Sequence, residues 1–199
     1  MKKTVIYTQR VEVVESYQER RDCADQNIPL FLERCGYLPV PVPNVISDLG
    51  AFVNTIEPAG ILLTGGNSLV KYGGTAPERD ETDHRLIEIA LRKNIPLYGF
   101  CRGMQSVLHY FGCELEAVER HVAVRHVAAG EWGHMEVNSF HNQACKRLQG
   151  PLQAMAVTED GVIEAAAYPE KNIIVTMWHP EREKPFREAD MQRVKHLFG

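Results

Sequence analysis

Pro96-Leu97-Tyr98-Gly99-Phe100-Cys101-Arg102-Gly103-Met104-Gln105 compresses a strand, a tight turn and the start of a helix into one short stretch. Its apolar half has strand length, and from Gly103 to Phe111 the apolar positions take on the helical period. The same succession occurs upstream. Ala59-Gly60-Ile61-Leu62-Leu63-Thr64 is a continuous apolar run that opens into Gly65-Gly66-Asn67 and a loop reaching about Glu78. A helix with Leu86, Ile87, Ile89, Ala90 and Leu91 on its apolar side follows, ending at Arg92-Lys93-Asn94. Unbroken apolar strands are buried on both faces, and their alternation with helices predicts a mostly parallel sheet covered by helices.

Outward from this centre the pattern holds. Residues 4–8 read as a first strand, and residues 38–42 as a strand that its prolines push to a sheet edge. A helix is expected from about Glu19 to Cys35, bent or restarted at Pro29 and ended by Gly36. Another is expected over 47–56, capped by Ser47. The second half changes to short strand-like segments near 123–127, 135–137, 153–158, 162–167 and 173–178, with helix returning over 188–198. The expectation is an α/β fold, an open and mostly parallel sheet flanked by helices, with a smaller antiparallel strand region in the second half. One domain over residues 1–199 is expected, without repeats or linkers.

Composition narrows the function classes. With 44% hydrophobic and 24% charged residues, the chain is neither disordered nor collagen-like. The 22 basic residues against 26 acidic ones provide no general basic face, so no nucleic-acid partner is expected. After Met1-Lys2-Lys3 the apolar Val5-Ile6-Tyr7 ends at Gln9-Arg10, too short for a secretory core of about 7–15 residues or a membrane span of about 18. No membrane partner is expected. The five cysteines (Cys23, Cys35, Cys101, Cys113 and Cys145) are odd in number and form no Cys-x-x-Cys pair, which favours a reducing, cytoplasmic setting over a disulfide framework.

Cys101 stands apart from the other four. Between Gly99 and Gly103, at the end of a buried strand, it occupies a turn that requires close packing and strained dihedrals. The helix that follows directs its positive end at the sulfur, favouring thiolate, and leaves backbone N–H groups free for an oxyanion. A thiolate nucleophile needs a base, and the base an orienting partner. Trp178-His179-Pro180-Glu181 follows a strand end, where sites gather in open α/β sheets, and Glu181 is placed to fix the tautomer of His179.

Together, Gly-Phe-Cys101-Arg-Gly-Met-Gln105, the later His179-Pro-Glu181 and the upstream Leu62-Leu-Thr-Gly65-Gly66 resemble the class I glutamine amidotransferase-like superfamily, which is flavodoxin-like in fold. The Phe-Cys-Arg-Gly-Met-Gln form and Arg79-Asp80 resemble its gamma-glutamyl hydrolase branch, peptidase family C26. The resemblance runs from about residue 4 to 182. It implies that Cys101 attacks a γ-glutamyl carbonyl to form a thioester, that His179 shuttles the proton and that Glu181 orients His179. It further implies an oxyanion hole from Gly66, with Gly65 as a second candidate, and the Arg102 N–H. Gln105 would hold the glutamyl moiety. Val137-Asn138-Ser139-Phe140-His141-Asn142-Gln143 matches the family's Val-Asn-Ser-x-His-x-Gln stretch, which makes Asn138, Ser139, Phe140 and His141 substrate-binding candidates. Arg79 and Asp80 would orient the long loop. Gly112–Val118 departs from the family pattern by lacking its glutamine and aspartate, which leaves the amine side of the substrate open.

The implied partner is a small-molecule γ-glutamyl substrate, cleaved by a free-standing hydrolase. A glutaminase subunit feeding ammonia to a synthase is the second reading, and the acceptor would then be another chain; a homodimer stays open. Thr8-Gln9-Arg10, Tyr17-x-Glu19-x-Arg21-Asp22 and Asp25-Gln26-Asn27 resemble small hydrolases of bacterial surface-polysaccharide clusters, which release cytidine diphosphoramidate from γ-glutamyl-CDP-amidate. Arg10, Arg20, Arg21 or Lys71 would then meet the diphosphate, against the alternative that they are solvated surface charges. Cleavage of γ-glutamyl-GABA is the alternative specificity. His121, His126, His134 and His141 are spaced by five, eight and seven residues, which reproduces no compact zinc pattern, and no metal or cofactor is expected.

Overall fold

The computed structural model describes residues 2–199; Met1, the start of the Met1-Lys2-Lys3 stretch read above, lies outside the described residues. In chain order the elements are β1 (Thr4–Tyr7), β2 (Arg10–Val14), β3 (Glu19–Cys23), α1 (Asn27–Arg34), β4 (Leu38–Pro41), α2 (Leu49–Ile56), β5 (Gly60–Leu63) and α3 (Pro77–Lys93). Then come β6 (Leu97–Phe100), α4 (Arg102–Tyr110), β7 (Glu116–Ala117), β8 (Val122–Gly130), β9 (Gly133–Phe140) and β10 (Gln143–Ala144). The last elements are β11 (Gln153–Thr158), β12 (Ile163–Tyr168), β13 (Ile173–Thr176) and α5 (Glu188–Phe198).

One nine-stranded sheet runs β4-β1-β5-β6-β13-β12-β11-β8-β9. From β4 to β13 the neighbours are parallel, and from β13 to β9 they are antiparallel. The antiparallel strands of the second half therefore continue the central sheet. β5 and β6 are buried along their whole length, as their unbroken apolar runs require. Leu49 and Val53 of α2, Leu86 and Ile87 of α3 and Met104 and Val107 of α4 share one core. Ile28 and Phe31 of α1 and Val194 and Phe198 of α5 fill the other. Helices thus cover both faces of the parallel half. Among the described residues no helix is long and apolar enough to cross a membrane.

Two local expectations need correction. The helix expected from Glu19 begins only at Asn27, and Glu19–Cys23 instead pairs with Arg10–Val14 as an antiparallel hairpin. Glu19-Arg20-Arg21-Asp22 has no apolar stripe to bury as a helix, and the Asp22 carboxylate is held by the Asn44 N–H and side-chain amide at 2.8 and 2.6 Å. Pro29 sits in the first turn of α1, where its missing N–H breaks no intrahelical bond, so it marks a restart. The cap of α2 is Asp48, whose Oδ1 accepts the Ala51 N–H at 2.8 Å, in place of Ser47.

Candidate active site

At the carboxyl ends of β1, β5, β6 and β13 lies a cleft of about 410 Å³, lined by Arg10, Gly65, Gly66, Cys101, Phe140, His179, Glu181 and Arg182 among others. Cys101 stands between β6 and α4 with φ 50° and ψ −110°, a conformation that L residues hold only under the constraint of their surroundings. Its N–H donates to the Thr176 carbonyl at 2.8 Å, tying it to the end of β13. Gly103 lets α4 lie directly on β5, because a Cβ there would stand 2.1 Å from the Leu63 carbonyl oxygen. Arg102 is the first residue of α4, so its backbone N–H has no intrahelical acceptor.

His179 and Glu181 come from the segment just after β13 and are both buried. His179 Nδ1 is 2.7 Å from Glu181 Oε1, which leaves Nε2 as the ring nitrogen available to the sulfur. The ring lies between Phe100 and Phe140, with centroids at 5.5 and 5.6 Å. Gly65 packs on its edge, where a Cβ would be 2.9 Å from His179 Cε1. Burial pulls the His179 pKa down, but the charge and hydrogen bonding of Cys101 and then of Glu181 outweigh it and raise the imidazole to about 9. The arrangement favours an imidazolium facing the Cys101 sulfur. Gly66 has φ +134° and abuts Arg10, whose Cβ would be 2.5 Å from any Cβ added there.

The Arg102 side chain points away from the cleft into a buried network. Its Nε donates to the Asn67 carbonyl at 3.2 Å, Nη2 pairs with Asp80 at 2.5 Å, and Nη1 reaches Asp83 and, at 2.9 Å, Ser106 Oγ. Arg79 Nη2 donates to Thr8 Oγ1 at 2.7 Å and to the Thr64 carbonyl at 2.9 Å, while its Nε meets Asp83 at 2.9 Å. Asp80 accepts the Val70 N–H at 2.8 Å. Asn67 holds both the N–H and the carbonyl of Val11 at 2.8 Å. Arg79, Asp80, Asp83 and Arg102 thus fix the loop that carries Gly65 and Gly66.

Of the remaining candidates, only Phe140 lines the cleft. Asn138 faces the backbone of His179: its Oδ1 accepts the His179 N–H at 2.9 Å and its Nδ2 donates to the His179 carbonyl at 2.9 Å. Ser139 Oγ donates to the His121 carbonyl at 2.6 Å, and His141 Nε2 is 3.3 Å from Glu164. Gln105 donates to the Gln143 carbonyl at 2.9 Å. Among the charged groups, Arg20 pairs with Glu78, Arg21 with Glu19 and Lys71 with Glu114, while Arg10, paired with Glu12 at 2.6 Å, is the one of the four that lines the cleft. Arg182, which the sequence reading passed over, also lines it, with its guanidinium 4.4 Å over the Phe140 ring. Its place directly after Glu181 was the available signal.

A cysteine at a strained strand–helix turn, facing a buried His–Glu pair at the carboxyl edge of the sheet, sits within the class I glutamine amidotransferase fold. A crystal structure of a putative GMP synthase subunit from Thermoplasma acidophilum matches all of this chain and 94% of its own, with TM-score 0.75 at 16% identity. A glutamine amidotransferase from Thermotoga maritima matches 98% of this chain and 84% of its own, with TM-score 0.68 at 14% identity. The chain belongs to the peptidase C26 family, whose model matches residues 5–131 and 117–181. It is 34% identical to the gamma-glutamyl-CDP-amidate hydrolase of Campylobacter jejuni over 96% of both chains. It is 29% identical to a gamma-glutamyl-gamma-aminobutyrate hydrolase of Escherichia coli O157:H7 over 73% of both chains.

Proposed function

We propose that this chain is a hydrolase of γ-glutamyl amides with Cys101, His179 and Glu181 as its triad, and that its substrate is γ-glutamyl-CDP-amidate. The observation that carries the chemistry is the buried His179–Glu181 pair beside Cys101 at the turn into α4. The Cys101 thiolate attacks the γ-carbonyl carbon, and the oxyanion is held by the Arg102 N–H and the Gly65-Gly66 backbone. As the carbon–nitrogen bond breaks, His179 Nε2 gives its proton to the departing nitrogen, leaving a γ-glutamyl thioester. The thioester sulfur is neutral, so the charge that raised the His179 pKa disappears. The imidazole then serves as base toward water, and collapse of the second oxyanion expels the thiolate and releases glutamate.

The specificity reading rests on the similarity to the Campylobacter hydrolase across nearly all of both chains. Arg10 and Arg182 at the cleft, the latter stacked on Phe140, suit a diphosphate, since guanidinium groups bind phosphate oxygens in bidentate fashion. On this reading the product supplies phosphoramidate for capsule decoration. Glutamate release from γ-glutamyl-CDP-amidate, γ-glutamyl-GABA and glutamine tests it. The nucleotide is expected to have the highest kcat/KM, and Arg182→Ala to raise the KM of the nucleotide more than that of the GABA amide, with a kcat effect common to both because the guanidinium also lies 3.7 Å from Glu181. Equal or better cleavage of the GABA amide refutes the specificity, and turnover that appears only with an added synthase refutes the free-standing hydrolase.

Asn138 acts as a positioning residue in this scheme. Asn138→Ala is expected to lower kcat by up to roughly 100-fold with little change in KM, because a small displacement of His179 misaligns proton transfer. Asn138→Asp keeps the acceptor for the His179 N–H and should recover part of the loss. A parallel fall in Tm without a kcat defect would reduce Asn138 to a structural role.

A further inference from the structure

In the antiparallel half of the sheet, away from the cleft, four ionisable side chains converge. Glu164 on β12 is shut off from solvent, His121 and His141 are buried, and His126 on β8 stands with Asp160 at the mouth of a separate cavity. His126 Nε2 and His141 Nε2 each lie 3.3 Å from Glu164 Oε1, and His121 Nδ1 lies 3.6 Å from the same oxygen. Ligand atoms of His121, His141 and Glu164 all fall within 4.8 Å of one another. Three imidazole nitrogens thus surround one carboxylate oxygen, all beyond the usual N–H···O separation of about 2.7–3.2 Å. Among the described residues, Glu164 Oε2, His121 Nδ1 and His126 Nε2 have no hydrogen-bond partner, which buried polar atoms seldom lack.

These separations fit ligands around a metal. Tetrahedral zinc with Zn–N distances of about 2.0–2.1 Å holds its ligand atoms about 3.3–3.4 Å apart. His121 has the outer partner such a ligand needs: its Nε2 is 3.0 Å from Asp160 Oδ2, which leaves Nδ1 to face inward. We propose that His121, His141 and Glu164 bind one Zn²⁺ through two imidazole nitrogens and a carboxylate oxygen. The spacing of five, eight and seven conceals this set, because it is the pairing of β9 with β8, and of β8 through β11 with β12, that gathers the residues.

Held by three buried protein ligands away from the Cys101 cleft, the ion is structural. It joins the β8–β9 hairpin region to β12, whose Glu164 carbonyl accepts the Met177 N–H at 2.7 Å, two residues before His179. The ion therefore braces the segment that carries His179 without entering the Cys101 cleft.

Metal analysis of the full chain, loaded with Zn²⁺ and desalted, is expected to give one zinc per chain, and Co²⁺ in its place to give visible absorption of four-coordinate type. Chelation should lower Tm by roughly 5–10 °C, reversed by Zn²⁺. Asp160→Asn changes a half-exposed outer partner and should weaken Zn²⁺ binding by about 10–100-fold with the fold intact by circular dichroism. Zinc uptake far below one ion per wild-type chain overturns the proposal, whatever the variants do. So does stoichiometric uptake at wild-type affinity in both Asp160→Asn and His141→Ala, which would place the ion elsewhere.

Discussion

Cys101→Ala is expected to lower glutamate release from any γ-glutamyl amide by about 10⁴–10⁶-fold while the fold is kept, because the nucleophile acts as a unit with its base and the residual rate comes from binding and the oxyanion site alone. The substitution also removes the charge that raises the His179 pKa to about 9. An NMR titration of the His179 ring should therefore show a lower pKa in the variant. The sign for stability follows from the raised value. Stabilisation of the imidazolium is fully present below its ordinary pKa of 6.5 and is lost as pH climbs through about 9. The wild-type chain should lose that contribution over this interval, and Cys101→Ala should have less of it to lose. The kcat/KM profile should carry an alkaline limb near pH 9, where the proton for the leaving nitrogen is gone. Normal turnover by Cys101→Ala would refute the thioester mechanism for every substrate.

Glu181→Gln should cost about 10⁴-fold in kcat, with KM little changed. The substitution preserves size, and Glu181 is buried, so the defect is chemical and not one of packing. At 2.7 Å from Nδ1, the carboxylate accepts that ring N–H and keeps Nε2 as the nitrogen that faces the sulfur and carries the exchangeable proton. A glutamine can instead present its NH₂, which stabilises the tautomer with the proton on the wrong nitrogen. Loss of the carboxylate also lowers the His179 pKa, so the alkaline limb of the residual activity should move to lower pH. Turnover within about tenfold of wild type would remove the His–Glu pair from the chemistry, since a positioned acid–base group contributes about 10²–10⁴-fold.

The parts of this site that depend on backbone geometry were legible in the sequence. Gly99 and Gly103 announce a turn that no larger residue fits, and the unbroken apolar runs of β5 and β6 announce burial on both faces. His179 and Glu181 were legible because they follow a strand end. Side-chain direction was not. Asn138, Ser139, Phe140 and His141 are consecutive, yet only Phe140 faces the cleft, while the others serve the His179 backbone, the His121 carbonyl and Glu164. The β2–β3 hairpin was hidden for a related reason. Its second strand is a charged ribbon whose partner lies in another segment, and a pattern read along the chain does not register a partner across it.

The two ends of Arg102 work on different parts of the molecule. Its backbone N–H opens α4 beside the nucleophile, while its guanidinium grips Asn67 and Asp80, the two margins of the loop containing Lys71-Tyr72-Gly73-Gly74. Nucleophile and loop margins are thereby registered to a common datum. Between those margins the segment is itself tied down, by the Val70 N–H on Asp80 at 2.8 Å and by the Tyr72 hydroxyl that accepts the Leu115 N–H at 3.0 Å. A change at Arg102 therefore reaches the nucleophile turn and the loop together, so that neither shifts without the other.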